Sequence, residues 1–247
     1  MLFSRLFPCV RTAFLCLCFL LCSVPADAAP SLKDTVAAMQ ASYKALSGFR
    51  ADFTQELTHQ ESGTTETRTG TLLLKKPLLV RWESVPPHQE LLLVGEKDIW
   101  NWLPDEELAY RYNLDMVKDS RSLIAVLTGQ SPLDRDFDVE AMNEIPAGEH
   151  SNTEQDPELS GTTHLLLYPK EPTPQMVEIQ LWIDIKSGFI RRAQVMDFYG
   201  NTNRVTFTAF QPDNTLSAKD FTFVPPQGTE VEDHREDGAM PGNVLLK

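Results

Sequence analysis

Beyond residue 22 this chain contains no cysteine, because Cys9, Cys16, Cys18 and Cys22 all lie near its start. That excludes disulfides, thiol nucleophiles and cysteine-bound zinc from the remainder. Histidine is sparse too: His59, His88, His150, His164 and His234 are scattered, and no two sit at helical metal-binding spacing. There is no glycine-rich phosphate loop, and Gly129-Gln130-Ser131-Pro132-Leu133 lacks the second glycine of a nucleophile elbow. Carboxylates are abundant, but their placement reads as solvated surface rather than an acid–base pair. The expectation is a protein that is not an enzyme and uses no metal or other cofactor. A hydrolase working through an unrecognised carboxylate pair is the competing reading from another class.

Only one long apolar run is present. Arg5 and Arg11 precede a stretch from Thr12 to Val24, and Ala26-Asp27-Ala28 supplies a small-x-small cleavage pattern. The run is shorter than the roughly 20 residues that span a bilayer. Residues 1–28 are therefore expected to be a cleaved export signal, leaving 29–247 as a single exported domain. Leu21 before Cys22 and Leu17 before Cys18 argue against a lipid-modified start. Basic residues are also scarce. Removing Arg5, Arg11 and Asp27 from 22 basic and 35 acidic side chains leaves 20 and 34, a formal charge of −14. Nucleic acid and anionic membrane surfaces repel such a body.

What is present is one helix and many short strands. Ser31 with Asp34 forms an approximate capping box. Leu32, Val36, Met39, Tyr43 and Leu46 follow at helical spacing, with Gly48 as the expected C-cap. Strands are predicted at 50–58, 67–75, 78–84, 90–95, 97–103, 107–112, 136–142, 163–169, 176–185, 189–198, 203–211 and 220–224. Such close spacing leaves no room for helical crossovers, so neighbouring strands should pair antiparallel. Residues 119–128, with Leu123, Ile124, Val126 and Leu127, read as a short helical lid, 143–162 as a loop, and 230–237 as a solvated charged tail.

The strands place aromatics on alternating faces. Val80 and Trp82 share one face, and Trp100 and Trp102 share one across Asn101. Filling a core explains any one of them. A single strongly curved sheet, however, encloses more space than its own side chains fill unless helices plug it. The expected fold is mainly β: a curved antiparallel sheet, an unclosed β-barrel, covered by a lid of short helices.

Several segments stand out together: Phe49-Arg50-Ala51-Asp52-Phe53-Thr54-Gln55, Gly70-Thr71-Leu72, Lys75-Lys76-Pro77 through Arg81-Trp82, and Ile99-Trp100. Asp197-Phe198-Tyr199-Gly200-Asn201 and the stretch from Phe221 to Val231 complete the set. In this order and spacing they resemble the LolA family of periplasmic outer-membrane lipoprotein carriers. The resemblance implies a monomer that holds acylated lipoproteins, takes them from an inner-membrane ABC-type transporter and passes them to an outer-membrane receptor. It implies a lid containing Tyr43, Leu46, Ile124 and Leu127, and a cargo-binding wall that includes Leu73, Val80, Trp82, Leu92, Trp100 and Trp102. In the family the basic residue before the proline is an arginine that latches the lid. Here it is Lys76, whose compact ammonium lacks the planar fork. A related reading is a carrier or sensor of another amphiphile, such as a glycolipid.

Overall fold

The computed structural model describes residues 31–117, 124, 126, 133–142 and 157–236. The expected signal segment, the 143–156 part of the loop and Leu127 lie outside the described residues. Helix α1 (Leu32–Ala45) opens where the Ser31 hydroxyl accepts from the Asp34 amide at 3.2 Å. Its buried stripe is Thr35, Met39 and Tyr43, one residue per turn, with Leu32, Val36 and Leu46 packed at the margins. The helix ends at Leu46 rather than at Gly48. Gly48 instead begins the first strand, where an added Cβ would lie 2.6 Å from the Leu74 carbonyl oxygen.

Twelve strands follow: β1 (Gly48–His59), β2 (Thr64–Lys75), β3 (Leu79–Ser84), β4 (Glu90–Val94), β5 (Asp98–Leu103), β6 (Leu108–Asn113), β7 (Phe137–Ala141), β8 (Thr162–Pro169), β9 (Glu178–Asp184), β10 (Ile190–Met196), β11 (Thr202–Pro212) and β12 (Glu230–Asp233). They form one sheet in the order β12-β6-β5-β4-β3-β2-β1-β11-β10-β9-β8-β7. The fold is thus mainly β, a curved sheet left unclosed with β12 and β7 at its edges. Hairpins connect most neighbours. In the β9–β10 turn, Asp184 Oδ1 accepts from the Lys186 and Ser187 amides, and Gly188 takes a φ of 71°. Every pairing is antiparallel except β12 with β6, which is parallel.

Two expectations for the C-terminal region are corrected. Residues 220–224 form no strand: Ala218–Phe221 is a 3-10 turn, capped reciprocally by Ser217 and Asp220. The 230–237 region is not a free tail either, because β12 within it is paired to β6, although all four of its residues are exposed. Between β11 and β12 the chain crosses the outer face of the sheet as a strap. Leu216 and Phe221 on this strap are buried against Leu79, Leu91 and Leu93.

Alternation along the strands divides the sheet into two faces. One face carries Phe49, Ala51, Leu72, Leu74, Val80, Leu92, Ile99, Leu165, Ile179, Leu181, Ala193, Val195 and Val205, in one core with Met39 and Tyr43 of α1. Val117, Ile124, Val126 and Leu133 join the same core. Ile124 and Val126 are helical and buried, so this part of the expected lid lies against the sheet.

Candidate functional site

Cross-strand partners share a face, so the register defines what lines the inner wall. One row runs Ala51, Leu72, Trp82, Leu92, Asn101 and Tyr110 across β1 to β6. The next runs Phe49, Leu74, Val80, Val94, Ile99 and Tyr112. Trp82 is half-buried, with its ring 4.2 Å from that of Phe53 and 6.4 Å from that of Phe207. Gly70 opposes Phe53, and a Cβ there would strike the Glu83 carbonyl oxygen at 2.0 Å. Glycine is required by that close approach.

Helix α1 closes over this wall at one end. Tyr43 stands edge-on to Phe49 at 6.3 Å and to Phe189 at 5.5 Å, while Phe210 stacks on both phenylalanines. The Tyr43 hydroxyl oxygen accepts from the Ile190 amide at 3.2 Å. Burial pushes this phenol far above its ordinary range, and the amide offsets that only in part, so it stays neutral. Lys76 reaches the same helix from the β2–β3 turn. Its ammonium donates to the carbonyl oxygens of Tyr43 at 2.5 Å and Lys44 at 3.1 Å, where the helix C-terminus favours a cation. Desolvation, with the nearby Lys44 ammonium, holds Lys76 below the usual lysine range.

The structure brings Tyr43, Val80, Trp82, Leu92 and Ile124 into the inner core, with Leu46 at its margin and Lys76 at the end of α1. It does not bring Leu73, Trp100 and Trp102 there. These three lie on the opposite face, packed with the strap, and Phe223 sits 5.6 Å from Trp100 and 5.4 Å from Trp102. On that face Leu73, Arg81, Leu93, Trp100 and Arg111 form one row, with the Arg111 guanidinium 5.1 Å over the Trp100 ring. The inner side of β5 is instead Ile99 and Asn101.

Sequence reasoning also missed polar groups on the inner wall. Asn101 donates to Glu90 at 2.5 Å, and Glu90 also accepts from Arg68 at 2.6 Å. Gln55 donates to Asn203 at 3.1 Å, both side chains buried. The even spacing of Phe49, Ala51, Phe53 and Gln55 was the available signal for Gln55. Among the described residues no group of three or more His, Cys, Asp or Glu is arranged to hold a metal.

By sequence the chain matches the outer membrane lipoprotein carrier protein LolA family over residues 44–224. The chain belongs to that family. It is 27% identical over 218 residues to an outer-membrane lipoprotein carrier protein of Nitrosomonas europaea, covering 88% of this chain and 94% of that one. A Neisseria meningitidis protein of the same description is 25% identical over 211 residues, covering 85% and 92%. Among solved structures, a LolA superfamily protein of N. europaea aligns with a TM-score of 0.39 at 11% identity, over 79% of this chain and 99% of that one. Members of this family are carriers.

Proposed function

We propose that residues 29–247 are a monomeric periplasmic carrier that shelters the acyl chains of lipoproteins on the concave face. The carrier would receive them from an inner-membrane ABC-type transporter and surrender them to an outer-membrane receptor, with no cofactor. The observation that carries this reading is the continuous inner wall through Val80, Trp82 and Leu92, covered by side chains of α1 and by Ile124 rather than by another sheet.

The physical need is plain. Each acyl methylene moved from membrane to water costs about 0.8 kcal/mol, so a free triacylated protein does not cross an aqueous gap unaided. A carrier must replace most of that burial. In this reading, opening the lid exchanges contacts of Tyr43, Leu46 and Ile124 with the wall for contacts of acyl chains with the same wall. Lys76 would set how readily α1 lifts.

The test incubates the exported protein with transporter-bearing membranes that hold a labelled triacylated lipoprotein. Label moving into a soluble one-to-one complex supports the proposal. Label that stays in the membrane fraction, while a bound glycolipid is found in the purified protein by mass spectrometry, replaces it with the other amphiphile.

A further inference from the structure

Asn203 lies on β11 opposite Leu57 and Val195, so its side chain points to the concave side, where it is only 5% exposed. Its oxygen is occupied by Gln55, but its amide nitrogen has no hydrogen-bond partner. Buried polar groups in folded proteins are overwhelmingly paired, and a donor left unpaired costs as much as a lost hydrogen bond. With the two amides in this orientation, Gln55 donating and Asn203 accepting, the atom left over on Asn203 is a donor. Its cross-strand partners on that face, Leu57 and Val195, are apolar, as is Val205 two residues along β11, and Gln55 stands between it and Arg68. Thr35, on the buried stripe of α1, has a hydroxyl equally without a partner. The other partnerless buried side-chain atoms among the described residues belong to Trp102, Arg111 and His164 on the outer face.

A lone donor in an oily wall suits a ligand that is mostly hydrocarbon and carries one neutral acceptor. The nearby cation, Arg68, is engaged by Glu66 and Glu90, which disfavours a carboxylate there. We propose that the Asn203 amide, braced by Gln55, donates to an ester or amide carbonyl at the head of an acyl chain, fixing how deep the chain sits. This rests on the carrier reading above and adds to it a polar anchor for the head of the chain.

The experiment compares displacement of a bound fluorescent apolar dye by two synthetic lipopeptides of equal chain length. One has ester- and amide-linked acyl chains and the other ether- and amine-linked alkyl chains. The wild-type protein is expected to prefer the acyl form about tenfold, the worth of roughly one hydrogen bond between neutral groups. In Asn203→Leu the acyl form should weaken to match the alkyl form, while alkyl binding holds. Equal binding of the two forms by the wild type, or a preference surviving in Asn203→Leu, overturns the proposal. If the variant does not fold, the wild-type comparison decides alone. Failure of the wild type to bind either form sinks the carrier reading itself.

Discussion

Replacing Lys76 with methionine keeps the unbranched stem, one atom shorter, and removes the charge. Two bonds to α1 carbonyls are lost, those to Tyr43 and Lys44. Hydrogen bonds to charged groups contribute about 1.5–3 kcal/mol each where both partners are well shielded. Here the contribution is smaller for three reasons. The Tyr43 carbonyl still accepts from the Leu46 amide, the Lys44 carbonyl is exposed and can turn to water, and the Lys44 ammonium already repels Lys76. A net loss of about 1–2 kcal/mol follows, which multiplies the opening equilibrium of α1 by roughly 5–30.

Hydrogen exchange of the amides in the last two turns of α1 reads this directly, because local opening sets their protection. Those amides should exchange faster in Lys76→Met by that factor, while amides in the middle of β1 keep their rates. Lys76→Arg, able to serve both carbonyls through its fork, should slow the same amides below wild type. Unchanged protection in Lys76→Met refutes the latch, whatever happens to cargo binding.

Three further outcomes are expected. Of the four tryptophans only Trp82 faces the inner wall, so the change in tryptophan emission on binding an acylated lipopeptide should vanish in Trp82→Phe and survive in Trp182→Phe. Gly188→Ala should destabilise the packing of α1 on the β9–β10 turn by about 1–3 kcal/mol, read as a lower Tm. Its φ is 71°, and the new Cβ would lie 3.0 Å from the Ala38 carbonyl oxygen. His164, stacked 4.1 Å from Trp182, is held down to about 4 by burial, with Gln180 opposing. The unfolded chain therefore binds the extra proton between about pH 6.5 and pH 4, so His164 weakens the fold as pH falls through that window and adds no further loss below it. His164→Gln should show a shallower decline of Tm over that window, by an equivalent of about 1–2 kcal/mol once partial exposure is allowed for; parallel curves would count against it.

Eleven strands were legible from turn residues and alternation, because each is a local pattern that pairs with a neighbour in the chain. Helix α1 was legible for the same reason. What failed was the choice of face on β2 and β5, at Leu73, Trp100 and Trp102. Leu72, Leu73 and Leu74 are all apolar, and so are Leu91, Leu92 and Leu93, because the strap covers one face while α1 covers the other. Alternation between two apolar faces carries no sign. The covering residues Leu216, Phe221 and Phe223 lie more than 100 positions from Trp100 and Trp102, so nothing local marks those tryptophans as outward. β12 was missed because its residues Glu230, Val231, Glu232 and Asp233 are all exposed and its pairing is parallel to a distant strand. Asn203 was not singled out, because sequence gives no hint that a buried amide has been left with a free donor.

The same double covering bears on how tightly a carrier of this design could hold its cargo. A chain of about 15 methylenes is worth about 12 kcal/mol of burial, far more than any handover could reverse if the wall were empty and waiting. The wall is not empty: Met39, Tyr43, Val117, Ile124, Val126 and Leu133 already fill it. On the proposed carrier reading cargo would displace those side chains, so its net affinity would be the difference between two burials of similar kind, with latch strength entering with the opposite sign. A firmer latch should weaken cargo binding and speed release. A looser one should strengthen binding until a downstream receptor can no longer compete. A lysine at position 76, with two carbonyl bonds and a repelling neighbour, would on the same reading give a latch of about 1–2 kcal/mol, small beside one acyl chain.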